Sequence, residues 1–173
     1  MNKEIISEFE ATLNEFLTIL SSFSQQEFNT HPSPNSWTAG QVAEHIRKSL
    51  NGGVVLLTTD TKPANRPPHQ LVEIIQKVFT DFSQRLNSPD FIIPADIIYN
   101  KVILLQELSA AKEIGTIAKP LDLSELCMAF PFPVFGHLTR LEIIHFFTYH
   151  IKRHIWQLKN IADKLSVNVT IEQ

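Results

Sequence analysis

Residues 139–165, TRLEIIHFFTYHIKRHIWQLKNIADKL, decide the fold. Leu141, Ile144, Thr148, Ile151, Ile155, Leu158, Ala162 and Leu165 alternate steps of three and four. That period draws one apolar stripe along an α-helix, and helical bundles are built on it. Thr139 and Glu142 have the spacing of a capping box, so the helix starts at Thr139 and continues to about Leu165. His150 and His154 sit inside it. At ~100° per residue they lie ~40° apart, one turn above the other. Phe147, Leu158 and Ile161 share that broad face, so the pair points at least partly inward. Gln157 is on the same face, within hydrogen-bonding reach of the pair.

Outward from this helix the chain reads as further helices divided by proline-rich connections. Ile5, Ile6, Phe9, Leu13, Phe16, Leu17, Leu20 and Phe23 predict a first helix over residues 3–23. His31 to Ser36 carries two prolines and is a loop. Thr38 and Gln41 form a second capping box, opening a helix with Val42, Ala43, Ile46 and Leu50 on its stripe. Gly52 and Gly53 weaken that helix, and Val54 to Leu57 could prolong it. Residues 58–68 read as a loop, 69–86 as a third helix, and 87–100 as a connector. A fourth helix is expected over 101–117, with Val102, Leu105, Leu108 and Ile114 inward and the Ala110-Ala111 pair favouring helix. Residues 118–138 are irregular, with a helical turn expected near Leu123 to Met128. No strand alternation stands out. Ser166 to Gln173 reads as a frayed end despite Val167 and Val169. The expectation is one all-α domain over residues 1–173, about five helices, four of them in a bundle.

Composition narrows the function. The chain has 173 residues, of which 43% are hydrophobic and 19% charged, which suits a single globular core. A net charge of -3 argues against a nucleic-acid partner, which would need a basic face. One cysteine, Cys127, excludes an internal disulfide framework, and its apolar neighbours make it a packing residue. The apolar runs are too short to span a bilayer and the N-terminus has no signal-like apolar segment, so a cytoplasmic protein is expected.

Two imidazoles four residues apart on a helix can share one metal ion. The alternative is two partly buried histidines hydrogen-bonded to neighbouring helices. His45, on the apolar side of the second helix, could supply a third ligand across the bundle, or could be a lone core histidine. His145 is ~140° round the helix from His150 and cannot easily join them. His31, His69 and His137 are also read as non-ligands, with His31 and His137 held in reserve. Glu44, Tyr149 and Arg153 adjoin these histidines, but no acid–base group stands out. Trp37 is expected to pack the second helix on the first, and Trp156 to be core or dimer interface.

Ser36-Trp37-Thr38-Ala39-Gly40-Gln41-Val42-Ala43-Glu44-His45 resembles the segment that opens the second helix of DinB/YfiT-like proteins. Phe135-Gly136-His137-Leu138-Thr139, followed by His150-x-x-x-His154-x-x-Gln157, is similar to that family's last helix and its approach. The resemblance covers nearly the whole chain. It implies a four-helix bundle of DinB/YfiT type, here with an additional short helix around residues 69–86, and often a homodimer. It also implies a divalent metal held by His45, His150 and His154. Neutral imidazoles suit zinc or nickel, and three protein ligands leave an open position for chemistry. The function implied is metal-dependent transfer of a low-molecular-weight thiol to an electrophile, or hydrolysis of a small substrate. The alternative is a non-catalytic, stress-associated helical-bundle binding protein.

Overall fold

The computed structural model describes residues 2–167. Helix α1 (Asn2–Ser22) runs against the last helix, α8 (Arg140–Leu165). Phe9, Leu13, Phe16, Ile19 and Leu20 of α1 are fully buried there. Between them lie the short α2 (Gln25–Phe28), α3 (Ala39–Leu50) and α4 (Gly53–Thr58), then α5 (Val72–Thr80), α6 (Lys101–Ser109) and α7 (Lys112–Ala118). Helices α1, α3, the α6–α7 pair and α8 form the bundle, and α5 lies along α8. Within one chain α8 is thus packed by α1, α3 and α5. Among the described residues no helix is long and apolar enough to cross a membrane.

Both expected capping boxes form. Thr38 Oγ1 accepts from the Gln41 amide at 3.1 Å, and Gln41 Oε1 accepts from the Thr38 amide at 2.9 Å. Thr139 and Glu142 do the same at 3.2 and 2.9 Å. Glu142 is also a tie point: its fully buried carboxylate accepts two hydrogen bonds from Arg66, at 2.6 and 2.7 Å, and one from the Leu71 amide at 2.9 Å. The proline-rich loop is thereby fastened to the start of α8.

Several connections differ from the sequence reading. The helix expected over 69–86 is only Val72–Thr80. Asp81 accepts from the Ser83 amide and hydroxyl, an Asx turn that competes with helix propagation. The fourth helix is two. At Ala110-Ala111 the backbone keeps helical angles, but Ala111, Glu113 and Ile114 bond three residues back instead of four, which tightens and redirects the chain. Val102 is exposed, and Leu104 takes the inward place expected for it. Gly52, at φ +78°, ends one helix and starts α4.

The helical turn expected at Leu123–Met128 is instead extended. Strand β1 (Thr61–Lys62) pairs antiparallel with β2 (Leu126–Cys127), with Thr61 opposite Cys127 and Lys62 opposite Leu126. A short apolar run of this kind carries no period, so its partner decides its conformation. At the end of α8, Ser166 adopts a left-handed conformation and the Val167 amide closes on the Ala162 carbonyl at 2.8 Å. Residues 168–173, Val169 included, lie outside the described residues.

Candidate metal centre

His45 on α3 meets His150 and His154 on α8. The Nε2 atoms of His45 and His150 are 3.0 Å apart, and those of His154 and His150 are 3.1 Å apart. All three side chains are buried. They come together because one α8 turn stacks His154 on His150, while packing of α3 against α8 brings in His45.

The outer ring nitrogens are oriented by acceptors. His45 Nδ1 donates to the Ile92 carbonyl at 3.0 Å, on the 3-10 turn Asp90–Ile92, and His154 Nδ1 donates to Gln157 Oε1 at 2.8 Å. With Nδ1 protonated, Nε2 of each ring carries a lone pair. Two lone pairs therefore face His150 Nε2. A proton on His150 Nε2 can serve only one of them, and the other lone pair is left facing a nitrogen with no proton to give. A cation among the three nitrogens relieves that conflict. Tetrahedral metal–nitrogen bonds of about 2.0–2.1 Å set donor atoms about 3.3–3.4 Å apart, within a few tenths of the spacings here. The donor set thus fits a divalent metal.

Burial keeps the rings neutral, as metal ligation requires. His154 is lowered to about 3, first by burial and then by its imidazole neighbour His45. Burial also drives His150 well below the ordinary value, with the neighbouring imidazoles adding to it. His45 is lowered by burial, against the opposing pull of the Ile92 carbonyl.

The rings sit at the floor of a cleft of about 1400 Å³. Trp37 packs 5.1 Å from His45, and Phe79 lies 5.1 Å from His150, ring centre to ring centre. Trp37 therefore faces the histidines, rather than only packing α3 on α1. Trp156 is not core: within the single chain it is 44% exposed at the cleft wall and stacks on Phe82 with centroids 5.0 Å apart. Arg153 donates to the carbonyls of Phe79, Asp81 and Gln84, holding the segment after α5 against the cleft.

The remaining histidines stay apart. His31 Nδ1 bonds the Ser36 carbonyl at 2.6 Å, His137 Nδ1 bonds the Cys127 carbonyl at 3.2 Å, and His69 is exposed. His145 stacks on Tyr149, and its buried Nδ1 has no hydrogen-bond partner among the described residues. Glu44 is buried and paired with Arg47 at 2.7 Å, away from the cleft. Cys127 is buried too, and that burial raises its thiol to about 11. Sequence reasoning missed the Ile92 carbonyl, because a backbone acceptor in a connector leaves no residue-type signal. It also missed the Arg153 clamp.

The fold is that of a helical-bundle family, and the chain belongs to the DinB superfamily, whose model matches residues 8–158. The protein YuaE of Bacillus subtilis (strain 168), itself uncharacterized, is 28% identical over 147 residues, spanning 84% of this chain and 90% of that protein. The structure resembles that of YfiT from Bacillus subtilis, described as "a probable metal-dependent hydrolase with an unusual four-helix bundle topology". The TM-score is 0.63 at 15% identity, over 96% of this chain and 89% of that one.

Proposed function

We propose that the protein is a metal-dependent enzyme that transfers a low-molecular-weight thiol to an electrophile, with His45, His150 and His154 holding zinc or nickel through Nε2. The observation that carries the metal is the convergence of the three Nε2 atoms, two of them bearing lone pairs. A bound metal with three protein ligands supplies an open position at which a thiol or a water loses its proton more readily.

The residues around the centre favour a thiol. Among the described residues no Asp or Glu lines the cleft, so no carboxylate is placed to take a proton from water. A thiol, far more acidic than water, needs no such base. Trp37 and Phe79 exclude solvent beside the rings, while Ile92 and Gln157 hold the imidazoles in the ligating tautomer. In the transfer, the thiol sulfur bonds the electrophilic carbon, the leaving group departs with its electron pair, and the thiol proton passes to solvent. Hydrolysis of a small substrate is the second reading, favoured by the likeness to YfiT. A homodimer belongs to the same proposal.

The test is metal content followed by turnover. Zinc- or nickel-loaded protein should hold about one metal per chain and conjugate a panel of thiols to a chromogenic electrophile, and His154→Ala should lose both. Turnover of ester substrates alone would favour hydrolysis. Metal-loaded protein with no turnover on either panel would leave a non-catalytic binding protein.

A further inference from the structure

The cleft above the histidines is larger and more one-sided than a small polar substrate requires. Pockets for drug-sized ligands are typically about 300–1,000 Å³, and this space is about 1400 Å³. Its inner wall is aromatic, with Phe79 and Phe132 both edge-on to Phe146. Its rim keeps apolar side chains in solvent: Phe91 is 63% exposed and Val134 98%. Val134 does so at φ +70°, a strained conformation for a β-branched residue, at the tip of the turn closed by Phe132 and Gly136. An apolar surface of this kind calls for an apolar occupant.

Charge completes the description. Acidic residues outnumber basic ones by 18 to 15 in the chain, yet among the described residues the cleft is lined by Lys48, Arg85 and Arg153 and by no carboxylate. Arg153 is committed to backbone carbonyls. Lys48 donates to the Ile93 carbonyl at 2.8 Å, which leaves two of its three ammonium protons for a ligand. Arg85 is exposed, with no hydrogen bond or ion pair among the described residues.

We propose that the molecule this cleft brings to the histidines is an amphiphilic carboxylate, its chain lying along the aromatic wall and its carboxylate paired with Lys48 and Arg85. The inference rests on the metal reading only for the chemistry done at the histidines; recognition belongs to the cleft.

The chain's two tryptophans, Trp37 and Trp156, both line the cleft, so intrinsic fluorescence reports its filling. Chelator-treated protein is titrated with dodecanoate, dodecanol, dodecyltrimethylammonium and acetate, all below micelle formation. Dodecanoate should give a saturable change. The ammonium amphiphile should bind at least ~10-fold more weakly, and acetate should give no change. Lys48→Met and Arg85→Met should each weaken dodecanoate about fivefold and leave dodecanol unaffected. Equal binding of the three amphiphiles, no effect of either substitution, or a response only to anionic vesicles overturns the proposal. Metal content is read separately. One zinc per chain with no dodecanoate binding sinks this proposal and spares the metal. Selective dodecanoate binding without metal retention supports the cleft's specificity and sinks the metal.

Discussion

His45 and His150 meet Nε2 to Nε2 at 3.0 Å although 105 residues separate them in the chain. The contact joins α3 to α8, so whatever occupies the centre also ties two helices of the bundle together. A ligand that binds only the folded state raises stability by mass action. Zinc should therefore raise the melting temperature of the wild type, and His45→Ala should abolish that rise. Calorimetry of chelated and loaded protein checks both.

Gln157 matters only through His154. Its Oε1 accepts the Nδ1 proton at 2.8 Å and so keeps Nε2 free to ligate. Gln157→Leu should lower metal affinity by about 10–100-fold with the helical content unchanged. Competition with a chromophoric chelator measures it, and an unaltered affinity would deny Gln157 this role.

The buried imidazoles set the acid limit of the metal-free protein. His154 titrates near 3 when folded, against an ordinary histidine value of 6.5, and His150 and His45 are lowered in the same direction. Between pH 6.5 and 3 the unfolded chain binds the extra protons, so stability falls as pH drops through that window and is flat in these groups above it. His154 alone contributes about 1.4 kcal/mol per pH unit there. Urea unfolding of chelated protein from pH 7.5 to 5 should show the decline, and His154→Asn should make it shallower, leaving the part due to His150 and His45.

Outside the cleft, the half-buried Arg66 pairs with the fully buried Glu142 carboxylate. Burial would raise the Glu142 carboxyl, but hydrogen bonds from Arg66, Thr139 and Leu71 outweigh it and hold the pKa below its ordinary value. Arg66→Met leaves that carboxylate buried and short of its cation, and should cost about 3 kcal/mol in denaturant unfolding. Adding Glu142→Gln should restore part of the loss, since the two substitutions are coupled.

Cys127 should be inert. Burial raises its thiol to about 11, and the thiolate is the reactive form. Iodoacetamide at pH 8 should label it only after denaturant is added, and Cys127→Ser should retain turnover. Rapid labelling of the native protein would contradict the buried placement.

The period of α8, its capping box and the stacking of His150 over His154 follow from local spacing, because helix geometry alone converts steps of three and four into one face. The first helix and the start of α3 were legible for the same reason. Elsewhere distant backbone decided the outcome. Leu126-Cys127 is extended because Thr61-Lys62 runs beside it. Helix α5 stops at Thr80 because Asp81 and Ser83 form a turn, and Arg153 holds the carbonyls around it. His45 could be read from sequence as a ligand or as a lone core histidine. Its tautomer was set only when the fold carried the Ile92 carbonyl to it from 47 residues away. That no carboxylate among the described residues lines the cleft is likewise a property of how the loops close over α3 and α8. Sequence by itself determined which residues could share a helical face, since that is short-range geometry. Only the tertiary structure decided what those faces meet, since carbonyl acceptors and cleft walls come from segments whose positions no local period specifies.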